Sequence, residues 1–377
     1  MHAILPLQGI IVIELGSSIA APFAGLILGE MGAEVIKVEH PDGGDAARTW
    51  GPNGTNAYSL LFETFNRNKK SITVDFANEE RRARLRGLIL ERADVVLQNL
   101  RPGVVEQFGL GGDALLAEKP SLVYCNLGAF GKLGPLSHLP GYDPLMQAFT
   151  GMCHVTGPEH GEACRLGVPV NDMGTGMWAA MGILAKLLTR KDSGKGGLVD
   201  VALFETAMTW MAIPMASVMT TGESPGRYGT RGPGVLAPNR GYDASDGVIL
   251  ITAGTNYQFR KLCAVLRHPE WAEDERFKTP MLRLRNEAAM SRMIGEIIRT
   301  QPRVYWMEEL DRKEVPNAPI HTPAEAFNHP QTQASGLIQG AADGASPQIA
   351  LPLKFDHMRL PYRHRAPHLG EHNDVLR

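Results

Sequence analysis

GIIVIELGSSIAAPFAGLILGEMGAEVIKVE, residues 9–39, is the stretch from which the fold is read. Gly9 to Leu15 is apolar and β-branched, Pro22 to Met31 keeps helical spacing, and Glu34 to Glu39 is a second β-rich run. Strand, turn, helix, strand is a βαβ unit. Outward from it, Ser71 to Asp75, Asp94 to Gln98 and Leu122 to Asn126 are further short β-rich runs, separated by helical stretches such as Asn78 to Glu91. Alternation of this kind predicts an α/β fold with a parallel sheet covered by helices. Gly197 to Val201 adds a strand and Ala202 to Ser217 a helical run, after which the pattern ends.

Between Thr221 and Asn239 the composition shifts to Gly, Pro, Arg and Ser, the mark of a connector or an extended loop. Tyr242 to Thr252 then holds Ala244-Ser245-Asp246-Gly247 between two β-rich runs, a hairpin signal. Helical spacing follows over Asn256 to Leu266, Leu284 to Thr300 and Val304 to Lys313, so this part reads as a smaller α+β domain. From Ser346 the tail is rich in Pro and His with little periodicity, and is expected to run over the surface or pack on the first domain.

A chain of 377 residues exceeds what one compact core usually holds, which agrees with two domains. With 38 Lys+Arg against 40 Asp+Glu there is no excess of positive charge for a polyanion, which argues against a nucleic-acid partner, although local basic clusters can hold a small anion. Cys125, Cys153, Cys164 and Cys263 form no C-x-x-C pair and have no His at ligand spacing, so no metal is expected and a reduced, cytoplasmic setting fits. Cys153 and Cys164 are candidate nucleophiles, but their small, mostly apolar neighbours favour buried structural thiols. No basic stretch leads into an apolar run at the N-terminus, and no segment reaches the length of a membrane span; the expectation is a chain neither exported nor inserted.

The candidate chemistry lies in Gly167-Val168-Pro169-Val170-Asn171-Asp172-Met173-Gly174-Thr175-Gly176. Apolar spacing from Met177 through Leu188 predicts a helix, with Asp172 at or just before its first turn. Unpaired backbone amides and the helix dipole there favour an ionised carboxylate, and the two nearby glycines leave room for a substrate. The alternative is a plain N-cap. Glu39, at the end of the second strand, raises the possibility of a dinucleotide site, but Gly16-Ser17-Ser18-Ile19-Ala20-Ala21 lacks the G-x-G-x-x-G turn through which a pyrophosphate is held.

Several separated segments, in order, carry a family likeness: Gly32-Ala33-Glu34-Val35-Ile36-Lys37-Val38-Glu39 with Gly44-Asp45, Asn66-Arg67-Asn68-Lys69-Lys70-Ser71-Ile72, and Ala93-Asp94-Val95-Val96 through Asn99-Leu100-Arg101-Pro102-Gly103. The Asp172 segment follows, then Val199-Asp200-Val201 before Glu205-Thr206-Ala207, Val315-Pro316-Asn317-Ala318-Pro319 and Leu369-Gly370-Glu371-His372. Through these the chain resembles the class III CoA transferases, the family of formyl-CoA and carnitine CoA transferases, which also contains the 2-methylacyl-CoA racemases. The resemblance implies a large Rossmann-like domain built from both chain ends (residues 1–220 and the return at 326–377), a small α+β domain (221–325), and a homodimer whose chains interlock. It also implies that Asp172 attacks an acyl-CoA thioester to form a mixed anhydride, that CoA thiolate returns to give an aspartyl-CoA thioester, and that a carboxylic acid acceptor then takes the CoA. A carboxylate with an ordinary pKa of about 3.9 needs no general base for this at neutral pH. The anhydride must be kept from water, and Gly229 to Asn239 is the candidate lid. Backbone amides beside Gly174 or near Ser18 are the candidate donors to the thioester oxygen.

By position in the family pattern, contacts to CoA fall at Ser17, Ile19, Ala20, His40, Val74, Asp75, Phe76, Ala77, Asn99, Leu100, Arg101, Pro140, Gly141, Tyr142 and Asp143. Ser17 stands where a polar or imidazole side chain is usual, while His40 and Gln107 stand where relatives carry arginine; Arg48, Arg101 and Lys69 are the cations available to compensate. Tyr142 aligns with the histidine of the racemases, and tyrosine, with a reference pKa of about 10, is a poor base at neutral pH. A transferase is therefore expected, with a racemase and a CoA-binding protein without transferase activity as the alternatives.

Overall fold

The computed structural model describes residues 5–54, 58–232, 234–340 and 345–376. The chain forms two compact units, one of residues 1–151, 166–211 and 330–377, the other of residues 152–165 and 212–329.

The first unit is built on six parallel strands: β1 (Ile11–Leu15), β2 (Glu34–Glu39), β3 (Lys69–Thr73), β4 (Val95–Gln98), β5 (Val123–Gly128) and β6 (Gly197–Ala202). Their order is β3-β2-β1-β4-β5-β6. Strands buried on both faces read as continuous apolar runs, and Val12, Ile13, Val35, Ile36, Val95, Val96 and Val123 are all fully or almost fully buried. One face packs Ile13, Ile36, Ile72 and Val96 with Leu85 and Ile89 of the Glu79–Arg92 helix. The Ala20–Glu30 helix, every residue buried, lies in the first βαβ crossover.

The six predicted strands of the sheet stand with bounds within two residues of expectation: β1 starts two residues later, β5 ends two residues later, and β3 is displaced as a whole. β3 begins at Lys69, two residues before the expected start, because the Lys69 ammonium is buried and ion-paired to Glu14 at 2.8 Å, so its charge does not end the strand. The helix expected over Met177 to Leu188 runs Val170–Ser193, and the helical run after β6 breaks at Met211 into Leu203–Trp210 and Ala212–Thr221. The tail lies against β3. His372 N–H donates to the Ser71 carbonyl, Thr73 N–H to Asn373 Oδ1 (2.7 Å), and Asn68 Oδ1 accepts from the amides of Arg363 and His364 (both 2.9 Å).

In the second unit, β7 (Asn239–Ala244), β8 (Gly247–Thr252) and β9 (Asn317–Pro319) form an antiparallel sheet. Ala244 pairs with Gly247 across a two-residue turn at the predicted place. Ile249 and Ile251 pack with Phe259, Leu262, Ile294 and Trp306 from three helices. The Gly229–Asn239 stretch, apart from Pro233, which lies outside the described residues, is held by Gly229 N–H to the Gly157 carbonyl and Gly232 N–H to that of Asn239. Cys164 is exposed and Cys153 half-buried, contrary to the expectation of buried thiols; Cys164 belongs to an exposed loop closed by its N–H to the Thr156 carbonyl. No helix among the described residues is long and apolar enough to cross a membrane.

Candidate active site

β1 and β4 are neighbours in the sheet although two strands intervene in sequence, so the strand order reverses between them; open α/β sheets leave a crevice there, at the carboxyl ends of the strands. The turn after β1 forms one side. Asn99, just past β4, brackets Ser17 by accepting from its N–H and donating to its carbonyl, each at 2.9 Å. Ser18, with φ +68°, donates its N–H to Asp45 Oδ1 at 3.0 Å. Both turn amides are thus taken inside the protein, and the expected donor near Ser18 is not free. Ile19, Ala20 and Val74 are buried, whereas Arg101 is exposed. Next along, His40 Nε2 stands 3.8 Å from Asp75 Oδ1, both exposed, at the carboxyl ends of β2 and β3. Ala77 N–H closes a turn on Asp75 Oδ1 (2.9 Å), and Phe76 packs on Phe108.

The cations expected to compensate for missing arginines divide. Arg48 and Lys69 are buried and spent inside the protein: Arg48 Nε and a terminal nitrogen each bond Glu39 at 2.8 Å, and Lys69 binds Glu14. Arg101 alone of the three faces solvent. Lys70, beside Lys69, is half-exposed and paired with Glu34 at 2.7 Å.

Asp172 is the third residue of its helix. The helix has no side-chain cap of its own at Pro169; its first-turn amides bond instead to Asp143, whose Oδ2 accepts from Asn171 N–H (2.6 Å) and Asp172 N–H (3.2 Å). Asp143 is only 3% exposed, and Gln147 donates to its other oxygen while accepting from Leu166 N–H (2.8 Å). Asp143 therefore caps the Asp172 helix from another segment, and its carboxylate is turned to that helix and not outward to a nucleotide. Pro140 and Tyr142 remain exposed, and Gly141 half-buried. The glycines also differ from expectation. A Cβ on Gly174 would come within 3.0 Å of Trp210 and Thr206, and one on Gly176 within 2.7 Å of the Ala20 carbonyl, so they serve close helix packing and not substrate access. The Asp172 helix is thereby seated directly on the start of the helix that follows the β1 turn.

The charge of Asp172 differs from expectation too. Burial, and then the nearby charge of Asp143, push its carboxyl from 3.8 up to about 7. Two of the amides that would have lowered it are bonded to Asp143 instead. Asn171, fully buried beside it, has neither carboxamide atom hydrogen-bonded among the described residues. Sequence reasoning missed Asp143 as a cap and Gln147 as its support, because they stand 29 and 25 positions from Asp172 with no local signal. Among the described residues no cluster of three or more His, Cys, Asp or Glu is placed to hold a metal.

The profile of CoA-transferase family III matches residues 7–373. Succinate–glutarate CoA-transferase of Agrobacterium fabrum is 34% identical over 97% of this chain and 94% of that protein. Acetyl-CoA:oxalate CoA-transferase of Acetobacter aceti is 33% identical over 99% and 95%. Among solved structures, a CAIB/BAIF family protein from Brucella suis has 36% identity and a TM-score of 0.86, with 98% of each chain covered.

Proposed function

We propose, from the premise that this chain belongs to CoA-transferase family III and is a CoA-transferase, that Asp172 carries the transfer covalently and that the acceptor is a short dicarboxylic acid. The Asp172 carboxylate attacks the thioester carbonyl of the acyl-CoA and the C–S bond breaks, giving a mixed anhydride and CoA thiolate. The thiolate adds to the aspartyl carbonyl and expels the donor acid, leaving an aspartyl-CoA thioester. The acceptor carboxylate attacks that thioester, and the released thiolate then takes the new acyl group and restores Asp172. Every bond broken is matched by one formed, and no net proton moves.

The observation that carries this reading is the half-buried Asp172 carboxyl, raised to about 7 beside the buried Asp143, in the first turn of a helix seated on the start of the helix that follows the β1 turn. A more basic carboxylate is a better nucleophile, which offsets the intrinsic weakness of an aspartate. Acylation also removes the charge that the site disfavours, so the covalent state relieves a repulsion present in the free enzyme. Tyr142 in place of a histidine favours transfer over racemisation, and a binding-only protein would have no use for such a carboxyl. The dicarboxylate rests on the relatives named for glutarate and oxalate.

CoA is proposed to lie across the carboxyl ends of β1 to β4, with its phosphates near Ser17 to Ala20, His40, Val74 to Ala77 and Asn99 to Arg101, and with Gly141 and Tyr142 toward the acyl end. The proposed assembly is the interlocked homodimer, for which exposed Met177, Met181 and Leu188 on the Asp172 helix offer an apolar face, and the proposed setting is the reduced cytoplasm. The test is incubation with succinyl-CoA or acetyl-CoA and a panel of dicarboxylates, followed by hydroxylamine trapping and peptide mass spectrometry. Label on Asp172, absent in Asp172→Ala, is expected. Turnover that survives in Asp172→Ala refutes the mechanism.

A further inference from the structure

We propose that Asp45, locked in place by Lys37, is a positioning residue for the nucleotide half of the acyl-CoA, acting through the main chain of the β1 turn. The inference rests on the reading above that the nucleotide lies at Ser17 to Ala20.

The β1 turn is clamped from both sides by one ion pair. Lys37, in the middle of β2 and opposite Glu14 in the register, hydrogen-bonds Glu14 Oε1 at 3.0 Å and the Gly16 carbonyl at 2.6 Å, and its ammonium is ion-paired to Asp45 Oδ2 at 2.9 Å. Asp45 Oδ1 then accepts from Ser18 N–H at 3.0 Å and from Ala47 N–H at 2.9 Å. Gly16 and Ser18 are therefore held by the two ends of a single ammonium–carboxylate contact. A left-handed Ser18 is a conformation that an L-residue keeps only where its surroundings over-determine it.

A second lysine repeats the pattern one strand over. Lys69 donates to the Pro22 carbonyl (2.8 Å) and Asn66 Oδ1 (3.0 Å) and is ion-paired to Glu14 Oε2 (2.8 Å), which fixes the first turn of the helix after β1. Gly25 leaves the slot that Glu14 fills, since a Cβ there would stand 1.9 Å from Glu14 Oε2. Glu39 completes the row by accepting from Asp45 N–H at 3.0 Å. Burial pulls Lys37 toward neutrality, but Asp45, Glu14 and Glu39 outweigh it and hold it above the ordinary lysine value, so the clamp stays charged. Apolar side chains of similar volume would stabilise a sheet at least as well as these buried ions. What the ions supply is a fixed geometry for one turn at the carboxyl ends of the strands, where a ligand meets the sheet.

Asp45→Ala removes the acceptor for Ser18 N–H, while Asp45→Asn keeps an oxygen there. Each is assayed with an acyl-CoA and with the matching acyl-pantetheine, which has no nucleotide. The preference for acyl-CoA, taken as the ratio of kcat/KM values, is expected to fall about tenfold in Asp45→Ala, the scale of one lost hydrogen bond, and to recover in Asp45→Asn. A merely structural defect lowers both donors alike and leaves the ratio in place, which overturns the proposal. Ser17→Trp separates the two claims, because it fills the turn without touching the clamp. If it leaves the ratio unchanged, the nucleotide lies elsewhere and the underlying reading fails with the inference; if it collapses the ratio and Asp45→Ala does not, the clamp alone is refuted. Should Asp45→Ala not fold, Lys37→Met/Asp45→Ala, which removes the acceptor without leaving a buried unpaired ammonium, is read the same way.

Discussion

Replacing Asp172 by asparagine is expected to abolish transfer and, at the same time, to stabilise the folded chain at neutral pH. In the folded state burial and the charge of Asp143 raise the carboxyl from 3.8 to about 7. Between those values the folded chain holds a proton that the unfolded chain has released, so the wild type loses stability as pH rises through that window and is level above it. The whole gap corresponds to at most about 4 kcal/mol. Asparagine carries no such penalty. Urea midpoints of the wild type and Asp172→Asn, taken at one protein concentration from about pH 4 to about pH 8, should nearly coincide at the acid end and separate in favour of the variant toward the alkaline end. A difference that is constant across the range, or a wild type that is the more stable at about pH 8, refutes the reasoning. The same carboxyl should appear in kinetics, with kcat/KM for the acyl-CoA falling about tenfold per pH unit below about 7 and flat above.

Two further outcomes test the packing beneath the site. Gly25→Ala and Gly87→Ala both replace a helical glycine, but the first drives a methyl onto Glu14 while the second meets nothing within 4 Å; the expected changes in stability are a loss of about 1–3 kcal/mol and a gain of about 0.5–1 kcal/mol, and two gains would mean that the slot is empty. For Glu39, burial alone would raise the carboxyl, but hydrogen bonds from Arg48 and Ser71 and the charges of Lys37 and Arg48 prevail and push it down to about 2. Its stabilisation is present above the ordinary carboxylate value and lost as pH falls toward 2, so Glu39→Gln should cost about 3–5 kcal/mol at neutral pH, with the deficit closing in acid; an acid-unfolding curve parallel to the wild type counts against the ion pair.

The strands and crossovers of the first unit were legible because β-branched runs such as Val95 to Leu97, and Ile11 to Leu15 with Glu14 its one interruption, are largely buried on both faces and leave an apolar signature. Lys69 was not legible as a buried residue: its partner Glu14 lies 55 positions away, and nothing local separates an ion-paired lysine from a solvated one. The Asp172 helix starts earlier than its apolar spacing, since Asn171, Gly174 and Gly176 are poor helix formers; the glycines are held helical by close packing on Trp210, Thr206 and Ala20, and Asn171 by its N–H bond to Asp143. Asp172 itself could be singled out from its motif, but its basicity could not, because that depends on burial and then on the charge of Asp143, which the fold brings beside it from 29 positions away.

The docking of His372 and Asn373 on β3 bears on how the protein stays apart from its neighbours. β3 is the outermost strand on its side of the sheet, and its main-chain groups are met by His372 and Asn373. A strand stripped of that cover is an open flank of the kind that recruits strands from other molecules. Proteolytic clipping ahead of His372 should therefore lead to self-association, so two residues guard an edge that the rest of the sheet leaves bare.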